Sequence, residues 1–424
     1  MFLSTKNPNP FAVVSVRFLK GERFPFLVRK ETGLPLEGPT FWSLALRRAQ
    51  NLQSSTIEND LRSLMFLFLW AELRGVSVEG RLAEGTFFSL TEIIDISNVI
   101  GRYRQGVLAE LATNVVKLPS DQALGVDVDE RRNRLSAAYS FIEFTSADIQ
   151  SQLSPWPQRA KRYASARNDC LGLLRGYVTS VGSRRKNGAG EREGMERAAV
   201  VQLRRVIEPQ HPDNPFRADV RFRNYVIVRL LLDLGIRRGE LLGIRVDDLE
   251  LGSNGTVMVH RRPDDPLDPR TRKPNTKTES RLLALNGRLV ELVHEYVLRH
   301  RSALPAARRH PFLIVNSVDG APLSLSAVNK IFEALRERIP DLPDDLSPHV
   351  LRHTWNDAFS EHADLNRIPA EHEVKWRARL MGWRNENSAQ HYLKRTVRRR
   401  SNEELRVMQD GFDIKGGDQK NDYS

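Results

Sequence analysis

Leu346-Ser-Pro-His349-Val-Leu-Arg352-His353-Thr354-Trp355 is the stretch from which the rest of the chain can be read. Pro348 suits the first turn of a helix, where its fixed φ is already helical and its missing N–H would have no partner anyway. His349 and Arg352 stand three apart, so a helix sets them on one face, one turn from each other. A helix N-terminus that presents an imidazole and a planar, permanently charged guanidinium is suited to an anion such as phosphate. A solvated basic helix start would carry the same two residues. The choice between them rests on what other segments supply.

The chain has 424 residues, too many for one ordinary core, which predicts two domains or three. With 40% hydrophobic and 28% charged residues it has the composition of a soluble globular protein. Its longest apolar run, Leu64-Met-Phe-Leu-Phe-Leu-Trp-Ala71, falls far short of the roughly 20 residues of a membrane helix. The first residues, Met1-Phe-Leu-Ser-Thr-Lys-Asn-Pro, lack the basic start and apolar stretch of a secretory signal. Cytoplasmic, nucleoid-associated residence is therefore expected, with no membrane partner. Cys170 is the only cysteine, which excludes an internal disulfide and a Cys-based zinc cluster. The net charge of +12 and pI of about 9.9 favour a nucleic-acid partner, because each neutralised phosphate releases condensed counterions. An anionic membrane surface would attract the same charge.

Residues 1–38 alternate over Phe11-Ala-Val-Val-Ser-Val-Arg-Phe18 and carry turn signals at Gly21 and Gly33-Leu-Pro35, which predicts a strand pair forming an N-terminal extension. Residues 39–182 read as a helical domain. Ser55-Thr-Ile-Glu58 has the form of a capping box, and Ile57, Leu61, Leu64, Met65 and Phe68 follow at helical spacing up to Gly75. Further helices are expected over Leu90–Leu111, Arg131–Thr145 and Pro157–Val181. The last carries Arg159, Lys161, Arg162, Arg167 and Arg175, either one wall of a DNA clamp or a solvated face. Residues 183–197, rich in glycine and charge, read as a linker.

Residues 198–396 form the second domain. Phe222–Leu234 is a densely apolar helix closed by Gly235, and a short helix follows within Ile236–Arg245. Val246–Leu251, Thr256–His260 and Ser280–Leu285 read as strands. Helices are expected near Gly287–Arg301, Leu325–Ile339, at His349, and from Val374 to Tyr392. Residues 397–424 open on Arg398-Arg-Arg400 and fade into a polar tail. The fold class is mainly α with a small antiparallel β-sheet, α+β.

Four places supply phosphate chemistry. Arg237 lies just past a helix-ending glycine, and Lys277 directly precedes the third strand, with Lys273 as its rival. His349 and Arg352 share a helix, and Tyr392 follows Trp383 by nine residues. Two arginines, a lysine, a histidine and a tyrosine without a carboxylate cluster point to phosphoryl transfer without metal or other cofactor. The arginines would neutralise developing charge and the tyrosine would act as nucleophile. Glu240 suits a buttress for Arg237 better than a base, and His353 suits a supporting role. His349 and His353, four apart, lack a third ligand for a metal.

The segments Gly235-Ile-Arg237-Arg-Gly-Glu240-Leu-Leu, Thr276-Lys277-Thr278, His349-Val-Leu-Arg352-His353-Thr354 and Leu380-Met-Gly382-Trp383, together with Tyr392, resemble in residue and order the catalytic domain of the tyrosine recombinases of the phage integrase family. The helical module of residues 39–182 is similar by position to that family's core-DNA-binding, SAM-like domain. The resemblance implies cleavage of one DNA strand by Tyr392, with a 3′-phosphotyrosyl bond and a free 5′-hydroxyl. It implies that Arg237 and Arg352 hold the phosphate, that Lys277 protonates the leaving oxygen, that His349 is the acid/base partner and that Trp383 positions the phosphate. It further implies double-stranded DNA as substrate, a homotetramer on paired sites, a mobile element to integrate or excise, and no small-molecule substrate. Position 383 is usually His in that family, and Trp still offers one N–H donor. The stretch Ala363–Arg379 and the loop before Lys277 are longer than usual. A DNA relaxer or telomere resolvase would share the chemistry, and a non-catalytic DNA-binding regulator would share the fold.

Overall fold

The alternating stretch near the N-terminus forms β1 (Phe11–Arg17) in the computed structural model, paired antiparallel with β2 (Arg23–Arg29) so that Phe11 faces Arg29 and Arg17 faces Arg23. The structure describes residues 9–19, 21–113, 125–181, 194–252, 255–262, 265–271, 273–274, 278–386, 389, 401–402 and 404–411. It divides into two units, Met1–Gly190 and Glu191–Ser424.

In the first unit the hairpin does not stand apart as an extension. Phe11 meets Phe68 edge-on at 6.1 Å, and Phe24 and Leu27 are buried in the same core. A short helix α1 (Glu37–Trp42) widens into a π turn over Ser43–Arg48. The central helix α2 (Ser54–Arg74) buries every residue from Leu64 to Ala71, so the apolar run is a core helix rather than an amphipathic one. Its N-cap is Gln53, without a side-chain cap bond. The capping box expected at Ser55 is therefore not formed, and Glu58 pairs with Arg62 one turn on instead. Gly75 ends the helix at φ 61°, as expected.

Helix α3 (Val78–Glu84) falls in a stretch where no element was expected. The helix expected over Leu90–Leu111 is two, α4 (Leu90–Ile100) and α5 (Arg104–Thr113). Ser89 caps α4 in a reciprocal box with Glu92, and Gly101 ends it. Arg134 fixes that exit by donating to the carbonyls of Ile100 and Arg102 at 2.9 and 2.8 Å. Helices α6 (Val128–Gln152) and α7 (Pro157–Ser180) complete the unit.

The second unit begins, among its described residues, with Gly194 and Met195. Their amides donate to Asp357 and Thr354 at 2.9 Å each, so the end of the expected linker is pinned to this unit. Helix α8 (Arg197–Val206) precedes α9 (Ala218–Leu234), whose buried Val226, Ile227, Leu230 and Leu231 are the centre of the core. Each such side chain contributes about 1.5–3 kcal/mol on burial. Helix α10 (Arg238–Gly243) leads to an antiparallel sheet, β3 (Leu249–Glu250), β4 (Gly255–Val259) and β5 (Arg281–Leu285), with Val259 opposite Arg281. The first of these strands is shorter than expected because Val246–Asp248 forms a 3-10 turn.

Helices α11 (Gly287–Glu295), α12 (Leu325–Arg338), α13 (Pro348–Leu365) and α14 (Ala370–Met381) follow. Helix α13 packs on α9 and on α14. The last helix does not continue towards Tyr392 as expected, because Gly382 closes it at φ 66°. A buried cluster joins it to α13: Arg377 pairs with Glu373 and donates to Ser360 Oγ at 2.6 Å and to the Asn356 carbonyl at 2.8 Å. The molecule is mainly helical with small antiparallel sheets. Among the described residues no helix is long and apolar enough to cross a membrane.

Candidate active site

The second unit gathers three arginines around one carboxylate. Glu240 lies in the first turn of α10 with its side chain wholly buried. Its Oε2 accepts the backbone N–H of Arg237 at 2.8 Å, one half of a capping arrangement, which holds the Arg237 backbone at the helix entrance. The same oxygen accepts Arg281 Nη2 at 2.9 Å and stands 3.8 Å from Arg352 Nη1. Oε1 accepts Arg281 Nη1 at 3.3 Å and the Thr278 hydroxyl. Burial pushes the Glu240 carboxyl up. The charge and hydrogen bonds of Arg281, the charge of Arg352 and the Thr278 bond outweigh it and hold the group at about 2. Glu240 is thus an anion at any working pH and has no proton to give.

Arg237 and Arg352 occupy different environments. Arg352 is 1% exposed, and its guanidinium donates to the carbonyls of Gly235 at 2.7 Å and Met381 at 3.1 Å. It also lies 5.4 Å from the centroid of the Trp383 ring. Gly235 ends α9 at φ 60°, with the Trp355 ring where a Cβ would stand. The helix-ending glycine, the arginine two residues later and the arginine of α13 are thereby packed as one body. Arg237 keeps 37% of its side chain exposed. Its Nη1 sits 3.5 Å from Glu240 Oε1 but has no hydrogen-bond partner among the described residues. A buried guanidinium N–H without an acceptor is costly unless a ligand completes it.

His349 is on the exposed side of α13, where its ring meets His353 edge-on at 4.5 Å. Ser347 caps that helix through the Val350 amide, with Pro348 in its first turn as expected. Trp383 follows Gly382 and packs against Val374, Ala378 and Ala389. Arg237, Glu240, Arg352 and Trp383 therefore form a chain of neighbours, each beside the next. Lys277 and Tyr392 lie outside the described residues, while the rival Lys273 is buried. Among the described residues no group of three or more His, Cys, Asp or Glu is placed to hold a metal ion.

Two contributors to the cluster were not singled out from the sequence, Thr278 and Arg281. Arg281 is 6% exposed and stands on the inward face of β5 with Leu283 and Leu285. The one sequence signal was an arginine in step with two leucines along a strand.

In the first unit Arg159, Lys161 and Arg162 are exposed on α7. Arg167 is not directed to solvent in the same way. It donates to Ser146 Oγ at 2.9 Å and to the Glu143 carbonyl at 3.2 Å, tying α7 to α6.

Residues 210–399 match the model of the Phage integrase family. The tyrosine recombinase XerC of Staphylococcus carnosus is 26% identical over 149 residues, 34% of this chain and 43% of that protein. The tyrosine recombinase XerD of Corynebacterium glutamicum is 27% identical over 144 residues, 34% of this chain and 41% of that protein. The chain thus spans less than half the length of these relatives. A solved structure of the Tn1549 transposon integrase in complex with transposon right end DNA aligns with 84% of this chain and 94% of that chain, at TM-score 0.49 and 14% identity.

Proposed function

The chain carries a phage integrase family domain over residues 210–399, and from that premise we propose that it is a tyrosine-type site-specific DNA recombinase. The observation that supports this most is the Arg237–Glu240–Arg352 cluster. With Arg281 counted, three guanidiniums face one carboxylate, and Arg237 Nη1 is buried without an acceptor among the described residues. Such an excess of fixed positive charge at a rigid backbone corner suits a phosphodiester whose negative charge grows in the transition state.

In this proposal the phosphate oxygens bind Arg237 and the guanidinium edge of Arg352, and the Trp383 indole N–H positions the phosphate. The phenolic oxygen of Tyr392 attacks phosphorus. The P–O5′ bond breaks as Lys277 passes a proton to the leaving 5′ oxygen, and His349 is the acid/base partner for the tyrosine. The product is a 3′-phosphotyrosyl ester with a free 5′-hydroxyl. Rejoining reverses the step with another 5′-hydroxyl. The ester conserves the bond, so neither ATP nor a metal is required. Integration or excision of a mobile element by a homotetramer on paired duplex sites in the cytoplasm is the corresponding biological role.

A suicide duplex with a nick beside the cleavage site lets the short 5′-hydroxyl fragment diffuse away and traps the adduct. A pool of such duplexes with randomised sequence, incubated with the full chain and denatured, is expected to yield a covalent protein–DNA species that Tyr392→Phe does not form. Equal adduct in Tyr392→Phe would refute the assignment of the nucleophile.

A further inference from the structure

Arg281, on β5, makes bonds to two other segments at once. Its two terminal nitrogens reach both oxygens of Glu240, at 3.3 and 2.9 Å, and its Nε donates to the Leu380 carbonyl at 2.6 Å. Glu240 in turn holds the Arg237 amide and lies 3.8 Å from Arg352 Nη1. Leu380 is in the last turn of α14, two residues before Gly382 and three before Trp383. The strand start and the helix end are joined a second time, because the Glu279 amide donates to the Gly382 carbonyl at 3.0 Å. A Cβ at Gly382 would come within 2.8 Å of Arg281 Nη1 and 2.9 Å of the Glu279 carbonyl, so the two segments meet backbone to backbone. In sequence Arg281 lies four residues after Lys277.

We propose that Arg281 is a positioning residue for strand cleavage, setting the start of β5, the Arg237–Arg352 pair and the exit of α14 in one geometry. This rests on the recombinase reading of the same site. Burying a charge pair serves the fold poorly, since well-packed apolar residues in its place are often as stable or more so. An arginine fork, by contrast, fixes two partners in one plane and leaves its third nitrogen to reach another. Lysine would supply the charge without that geometry. Displacement of a catalytic group by about 1 Å costs on the order of 100-fold in rate.

The test compares the full-length parent, Arg281→Lys and Arg281→Met on one nicked duplex recovered from the randomised pool by covalent capture with the parent. The rate of adduct formation at saturating DNA is expected to fall about 100-fold in Arg281→Met. The DNA concentration at half-saturation should change less than about threefold, with Arg281→Lys in between. The rate–pH profile of Arg281→Met should also gain an acid limb. Without Arg281, burial acts on Glu240 against only Arg237, Arg352 and Thr278, and protonating it loosens the Arg237 corner. Hydrogen exchange of the amides of Arg237 and Glu279, measured on the protein alone, should rise in both variants. Parent-like cleavage and parent-like exchange in a folded Arg281→Lys or Arg281→Met would overturn the proposal. If Arg281→Met does not fold, Arg281→Lys carries the test by the same criteria. A parent that forms no adduct with any duplex would count against the recombinase reading instead, and the exchange measurement would then decide the coupling by Arg281.

Discussion

Glu240→Gln replaces the one carboxylate under the arginine cluster with a side chain of the same shape and no charge. In the folded chain the carboxyl is held at about 2 rather than its ordinary 4.5, which corresponds to about 3 kcal/mol. Because the folded value is the lower one, this stability is fully present above about pH 4.5 and is lost as pH falls through about 2. Glutamine contributes none of it at any pH and leaves the buried Arg281 and Arg352 uncompensated, which brings the expected cost at pH 7 to about 3–5 kcal/mol. The deficit should narrow steadily below pH 4.5. The measurement is denaturant-dependent hydrogen exchange of the peptide covering residues 235–242 in the full chain, at pH 7 and in acid, which assigns the loss to the second unit. A Gln variant within about 0.5 kcal/mol of the parent at pH 7, or a deficit that stays constant in acid, would refute the view that the charge of Glu240 organises the site.

Two further substitutions probe separate parts of the molecule. Gly235→Ala demands φ near 60° from a residue with a Cβ and drives that Cβ to 2.7 Å from the Trp355 ring. The expected loss is roughly 2–4 kcal/mol by thermal unfolding of the second unit, and a loss under about 1 kcal/mol would mean that the corner yields. On α7, alanine at Arg159, Lys161 or Arg162 should each reduce the slope of log affinity against log salt by about 0.9 on any duplex DNA. Arg167→Ala, which severs α7 from Ser146 and Glu143, should lower the stability of the first unit without changing that slope. An unchanged slope in all three exposed variants would remove α7 from the DNA interface.

Much of the architecture was written in short spacings. The run from Ile57 to Phe68, the apolar stretch ending at Gly235, Pro348 behind Ser347 and the glycines that close helices are local signals, because helical hydrogen bonds and left-handed caps involve only a few neighbouring residues. Boundaries failed where local options competed. Ser55 and Glu58 match a capping box, yet the helix starts earlier and Glu58 is used by Arg62. A continuous helix from Leu90 was broken at Gly101, whose exit is fixed by Arg134 from a distant helix.

The candidate site divides in the same way. Arg237, Glu240, Arg352 and Trp383 were legible as residue types in order, and the structure brings these four together. Arg281 was not, because Leu282 beside it is the apolar residue, yet Leu282 is 53% exposed and the arginine is inside. Nothing within β5 makes that favourable. It becomes so through Glu240, 41 residues earlier, and the Leu380 carbonyl, 99 residues later. By itself, then, the sequence determined most of the helices and the chemical types at the site. Only the tertiary structure decided which charges are buried, since a buried guanidinium is tolerated only where distant parts of the chain deliver its acceptors.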